Sequence, residues 1–287
     1  MTHTTQQTRL LPPEAALAID AVDLDIRGGM RLAADLGFQG IGLAADHPVL
    51  NSPDMGQTAR RHFLHTLQSL GLALRCLRTG AGAQGAFSRQ SVDNLVRRGI
   101  AAMQLAHDFK CRMVSLYVGE PDPVGADNDA ATVQVWKDAL SAMAALAELA
   151  DRTGIRLAIL SGNIDAENRL ISHVNTRSVR GGLDTMRLLL AGGNPADCAQ
   201  HISGGAAIWI CCDGRRTGHG FSARRLGEGQ ADPQAVIQVL RDSDSKGLVL
   251  LDPRHHHQPG QAAEADAQVL RTLLNPAPSH ATRTIRE

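Results

Sequence analysis

Aromatic side chains are scarce in this sequence, at 3% of its residues. That scarcity argues against a β-sandwich core and for Ala- and Leu-rich helices packed over strands. An excess of charge of either sign is also missing, since 29 Lys and Arg stand against 29 Asp and Glu. Without a net field to draw in a phosphate backbone or an anionic bilayer, neither nucleic acid nor a membrane surface is an expected partner. No apolar run approaches transmembrane length, and the opening MTHTTQQTRLLPPE lacks the apolar centre of a secretory leader, so a cytoplasmic protein is expected. The five cysteines (Cys76, Cys111, Cys198, Cys211, Cys212) form no CxxC pair, which excludes a zinc knuckle and points to reduced core thiols. Nucleophile-elbow, H-E-x-x-H and Cys/His arrangements are absent, and no G-x-G-x-x-G or Walker sequence follows the first strand.

What is present is a repeat. Apolar residues make up 43% of 287 positions, ample for a large core. The stretch 226–253 shows the unit most clearly. A Gly-rich turn, Leu226-Gly227-Glu228-Gly229, precedes Asp232-Pro233, an N-cap followed by proline at the first helical position. A helical apolar face follows at Ala235, Val236, Val239 and Leu240, then the buried-strand run Leu248-Val249-Leu250-Leu251, closed by Asp252-Pro253. The same order of helix end, glycine and short apolar strand recurs at 32–43, 67–77 and 149–160, and without the glycine at 105–116. With a first strand at 17–22 and two more at 179–183 and 206–212, eight strand ends fall near 22, 43, 77, 116, 160, 183, 212 and 251. Strands alternating with helices imply right-handed βα units and a parallel sheet. Eight of them in a chain just above about 250 residues predict an α/β fold, a single (β/α)8 TIM barrel over 14–274. An open doubly wound sheet shares the alternation, because periodicity does not report closure. Residues 1–13 and 275–287 carry no apolar period and are expected to be flexible tails.

The loops after the strand ends form the active face of such a barrel. Asp184 and Asp252, closing the sixth and eighth strands, can offer hard oxygens to a divalent cation or serve as ordinary turn caps and ion pairs. Arg215 and Arg216, beside the Gly-rich turn, can grip a phosphate or carboxylate or lie on a solvated loop. His47 can act as an acid or base, although a histidine before proline is also a common turn residue. Three adjacent histidines, His255 to His257, cannot easily all face one ion.

At this point the chain resembles the xylose isomerase-like TIM barrels, the sugar phosphate isomerase/epimerase superfamily. The resemblance rests on the 32–43 unit, Leu146-Ala147-Glu148-Leu149-Ala150 through Leu160, Leu183-Asp184 with Leu189 to Pro195, Asp213, the 226–229 turn with Asp232, and the last strand. It implies a metal site, holding Mn, Mg, Zn or Co, of a strand-five Glu, a strand-six Asp, a strand-seven His and a strand-eight Glu. Carried over, these fall on Ser161, Asp184, Ile210 and Asp252. A frequent strand-two Glu falls on Gly42, a His on Arg187, and an Arg on Arg216. Asp184 and Asp252 are therefore the expected metal ligands, Asp252 and His47 the expected catalytic residues, and Arg216, Asp213, Glu228 and His255 the expected substrate contacts. The implied activity is isomerisation or epimerisation of a sugar, sugar phosphate or polyol, with a sugar-like ligand and a homodimeric state. Ser161 and Ile210 at two of the four metal positions, with Gly42 in place of the strand-two Glu, point to altered or lost metal dependence. The alternative is a catalytically silent barrel that binds a small molecule or a protein. Endonuclease IV-like repair needs a His- and Glu-rich cluster and a basic face, and the sequence has neither.

Overall fold

A computed structural model describes residues 10–12, 14–52, 54–80, 85–121, 130–202, 204–218, 220–242 and 247–275. Eight parallel strands close into a barrel: β1 (Ala15–Ala18), β2 (Gly40–Ala44), β3 (Ala73–Gly80), β4 (Met113–Tyr117), β5 (Arg156–Leu160), β6 (Val179–Asp184), β7 (Ile208–Cys211) and β10 (Leu248–Leu251). Each is parallel to its neighbours, and β1 against β10 makes the closure (Ala16 opposite Leu250). Nine helices are described around it: α1 (Ile26–Asp35), α2 (Gln57–Ser69), α3 (Arg89–Asp108), α4 (Ala130–Thr153), α5 (Ile164–Val174), α6 (Thr185–Ala191), α7 (Pro195–His201), α8 (Pro233–Asp242) and α9 (Pro259–Leu274). The open-sheet alternative is excluded by the β1–β10 ladder.

Strand pleating divides the core into two shells. Leu17, Ile41, Leu43, Leu77, Val114, Leu116, Leu157, Ile159, Leu183, Trp209 and Leu251 point outward and pack on the helices. Ala16, Ala18, Cys76, Met113, Ala158, Leu160, Ile208, Ile210, Leu248 and Leu250 fill the barrel itself. Small residues on β1 and β2 leave room for bulky ones on β7 and β10. A Cβ on Gly42 would lie 2.7 Å from Leu250 Cδ1, so the Leu250 side chain takes the space that any larger residue at 42 would need.

Local signals explain most boundaries. Asp25, Asn163, Asp184 and Asn194 each accept a backbone N–H in the first turn of the helix that follows, a cap worth about 1 kcal/mol. Asp232 does the same for α8 through Ala235 N at 3.1 Å. Three features depart from the expectations raised by the sequence. The first strand ends at Ala18, four residues early, because 19–21 turn into a 3-10 helix that carries Asp20 over the barrel end. The segment expected as a loop after the seventh strand is an antiparallel hairpin, β8 (Asp213–Thr217) with β9 (Gly220–Arg224). Leu11, at the end of the segment expected as a tail, is fully buried, with its N–H on Gly37 O at 2.8 Å. Residues 1–9 and 13 of that segment and residues 276–287 lie outside the described residues. No helix among the described residues is long and apolar enough to cross a membrane.

Candidate active site at the carboxyl end of the barrel

The inward-facing parity that builds the interior also selects what reaches its end. Continuing it one residue past the apolar layer puts Arg78, Tyr117, Asp184, Cys212 and Asp252 around a cavity of about 450 Å³. The loops add Arg187, Arg254 and His255, with Arg98 and Asp46 as an ion pair on the rim. A larger cavity of about 700 Å³ lies at the opposite end, where the strands begin. The smaller one is the candidate, because it collects the side chains at the carboxyl ends of the strands.

Arg78 organises this end. Its guanidinium donates through Nη1 to Asp252 Oδ2 at 2.8 Å and through Nη2 to Asp20 Oδ1. All three side chains are nearly buried, where effective dielectric is low and a charge without its partner is costly. Asp252 is also gripped by Arg254, whose Nε donates to both carboxylate oxygens at 2.7 and 2.8 Å. Burial pushes the Asp252 carboxyl up to about 7, against the pull of Arg78 and with Asp184 and Asp20 adding to the rise. Arg254 is 40% exposed, so water screens much of its pull. Burial likewise raises Asp184 and lifts the Tyr117 phenol to about 12. Cys212 is pushed well up by burial, so it stays a thiol rather than a nucleophile. Arg187 stacks its guanidinium on the Tyr117 ring at 4.3 Å, and no carboxylate partner is described for it.

The residues singled out from sequence separate into two groups. Asp252, Asp184 and His255 converge on the cavity. Asp184 spends one oxygen capping α6, accepting from Arg187 N at 3.2 Å. His255 packs edge-on to Phe221 with ring centroids 5.6 Å apart, and burial and Arg187 lower its pKa, keeping the imidazole neutral. The other four do not line the cavity. His47 sits in the turn after β2, its Nδ1 accepting from Val49 N at 3.2 Å. Arg216 is exposed on the hairpin and lies against Gly192, the left-handed residue that ends α6. Glu228 is exposed. Asp213 is fully buried and accepts from four backbone N–H groups, Gly214 and Ala231 on Oδ1 and Gly227 and Gly229 on Oδ2, at 2.7–3.0 Å. It shapes the 226–231 turn and has no oxygen left for a ligand. Sequence reasoning missed Asp20, read as strand interior, and gave Arg78 no role. An arginine directly after the apolar run of β3 was the available signal.

The donor set does not fit a divalent cation. Ser161 is buried, donating to Gly119 O at 2.8 Å and accepting from Asn163 N at 3.1 Å. Ile210 is apolar, and the space at Gly42 belongs to Leu250. The nearest carboxylate to Ser161, Glu167, turns inward from α5 and accepts from Ser161 N and Gly182 N at 3.1 and 3.0 Å, joining β5 to β6. Asp252 is committed to guanidiniums. Among the described residues no three His, Cys, Asp or Glu come together as a ligand group. The expected metal pair, Asp184 and Asp252, thus lacks the companions that would complete a coordination sphere.

Residues 30–273 match the family model for the xylose isomerase-like TIM barrel. No curated protein sequence matches the chain. Among solved structures, a xylose isomerase domain protein from Planctomyces limnophilus superposes with a TM-score of 0.70 at 14% identity, over 92% of this chain and 97% of that one. D-psicose 3-epimerase with D-tagatose from Clostridium cellulolyticum H10 does so at 0.71 and 13%, over 91% and 99%. A xylose isomerase-like TIM barrel protein from Mycobacterium smegmatis in complex with magnesium gives 0.68 and 16%, over 91% and 96%. At such identities the structural likeness speaks for the fold alone. The family-model match covers most of the sequence, and with it the chain belongs to the xylose isomerase-like TIM barrel family.

Proposed function

We propose that the carboxyl end of the barrel moves a proton on a small polyhydroxy carbonyl compound bearing an anionic group, a sugar phosphate or sugar acid, in an isomerase-type reaction. The observation that carries this reading is Asp252. It is a buried carboxylate at the end of the last strand, facing a cavity of ligand size and held by two guanidiniums. Ionised, it takes the hydrogen from the carbon beside the carbonyl. The C–H pair becomes the C=C bond of an enediolate, and the carbonyl pair moves onto oxygen, where guanidinium N–H groups stabilise it. After the two oxygens exchange a proton, Asp252 returns its proton to the neighbouring carbon on the same face. One carboxylate suffices for this transfer, whereas inversion at a single carbon needs a second group on the opposite face, and Ser161 cannot serve there. Arg187, stacked on Tyr117 without a described carboxylate partner, is suited to the anionic group of the substrate.

Proton exchange tests the reading: a panel of aldose and ketose phosphates and sugar acids is incubated in D2O and the carbon-bound hydrogen followed by NMR. Incorporation that falls on the order of 10²–10⁴-fold in Asp252→Asn supports it. Exchange indifferent to that substitution overturns it. A second reading, a barrel that binds such ligands without turnover, is favoured by the commitment of both Asp252 oxygens to arginines. Saturable binding with no exchange on any of these compounds would select it.

A further inference from the structure

We infer that Arg78 is the permanent cation of this site, standing where the fold would otherwise need a divalent metal ion, so that the barrel works without one. The inference deepens the proposed function by naming what neutralises charge at Asp252. Three observations carry it.

The first is reach. Arg78 leaves β3 beside Ala44 of β2, its register partner, and crosses to Asp20 and Asp252 at the ends of the neighbouring β1 and β10. It can cross because the top of β2 is small there, and because Leu250 rather than a polar chain fills the space below it at Gly42. The second is balance. Three guanidiniums, Arg78, Arg187 and Arg254, stand against three carboxyl groups, Asp20, Asp184 and Asp252, so even with every carboxyl ionised an added double positive charge would meet guanidiniums already in its place. The third is burial. The Arg78 Nε–H is closed off from solvent and has no partner among the described residues, so the guanidinium is held in place by its two carboxylates and the packing around it. A guanidinium keeps its charge at every working pH and does not dissociate. A site built on one is therefore indifferent to chelators.

The test reads metal rather than turnover. Purified full-length protein, free of any metal-binding tag and dialysed without chelator, is expected to carry Mn, Mg, Zn and Co far below one equivalent by mass spectrometry. Its melting temperature should be unmoved by EDTA or added Mn2+. Arg78→Gln exposes the Asp20 and Asp252 carboxylates to one another, and it should gain Mn2+ binding, seen in the loss of the free-ion EPR signal, that the parent lacks. Near-stoichiometric metal in the parent, lost with a drop in melting temperature on EDTA treatment, overturns the inference. So does a folded Arg78→Gln that binds Mn2+ no better than the parent. If that variant does not fold, the parent's metal content and EDTA response decide alone. A metal-free, EDTA-indifferent protein that exchanges no proton on any sugar would remove the proposed activity and leave this inference standing.

Discussion

The two ends of the barrel hold similar residues in opposite circumstances. At the carboxyl end, Arg78 and Arg254 are locked onto Asp252, and Arg78 also onto Asp20. At the other end Arg75, Lys110, Arg112, Arg156 and Arg177 surround the larger cavity with Glu14 as the sole carboxylate among the described lining residues. All five of those cations are exposed and none has a described ion pair. Lys110 and Arg112 follow the end of α3, and Arg156 follows that of α4. Helix carboxyl termini carry partial negative charge, so cations gathered there are favourable without any ligand. Water screens them from one another. At the carboxyl end helix amino termini follow the strands and give cations no such relief, and Arg78, Asp20 and Asp252 are nearly buried, so these three hold one another as specific partners. The lesson is that arginine number says little about a site, whereas arginine burial says much.

Substitutions at matched positions should widen this contrast. The largest effect is expected from Arg78→Ala, which leaves Asp20 and Asp252 buried without their shared partner and should cost about 3–5 kcal/mol in urea unfolding. Arg156→Ala, its counterpart at the other end, should stay within about 0.5 kcal/mol. Equal losses from the two would end the distinction. Next comes Gly229→Ala. Its Cβ would lie 2.0 Å from Asp213 Oδ1 and 2.5 Å from Gly214 backbone atoms, so the turn must shift, at about 1–3 kcal/mol. At Gly154, by the other cavity, nothing lies within 4 Å of an added Cβ, and alanine there meets only the positive φ of 67°, about 1 kcal/mol. Thermal melts of the pair would rank them.

The gentlest probe is pH. Asp252 titrates at about 7 in the fold against an ordinary 3.8. Between those values the folded chain holds a proton that the unfolded chain has released, so this residue's contribution to stability falls as pH rises through the window. Activity should run the other way, with kcat/KM rising to a plateau above about pH 7 as the base ionises. A stability profile unchanged between the parent and Asp252→Asn across that window would contradict the assignment. Arg156→Ala should leave both profiles as they are.

Part of this site is legible in the order of the residues alone. The run Leu248 to Leu251 closed by Asp252-Pro253, and Leu183-Asp184, announce carboxylates at strand ends, because buried strands are apolar and the first polar residue marks where they stop. Alternation of the pleat then sends Asp252 and Asp184 inward. Asp213 is legible only as an acid near a glycine-rich turn. That it is consumed by four N–H groups depends on the hairpin folding back over 226–231. Arg78 is invisible as a partner in the sequence, since Asp20 and Asp252 lie 58 and 174 residues from it. Nothing in the order of residues marks Glu167 as buried, and it is α5 that turns it under the β5–β6 seam.

Local information, meaning apolar period, caps and glycine-ended helices, therefore suffices for the eight-fold βα repeat, since each unit is written in contiguous residues. Closure, the shell each side chain joins, and the choice between metal and guanidinium are settled only in three dimensions. Those outcomes depend on which strand ends become neighbours and on what volume remains between them. Leu250 filling the place of Gly42, and Arg78 spanning the gap to Asp20 and Asp252, follow from packing that no stretch of sequence contains.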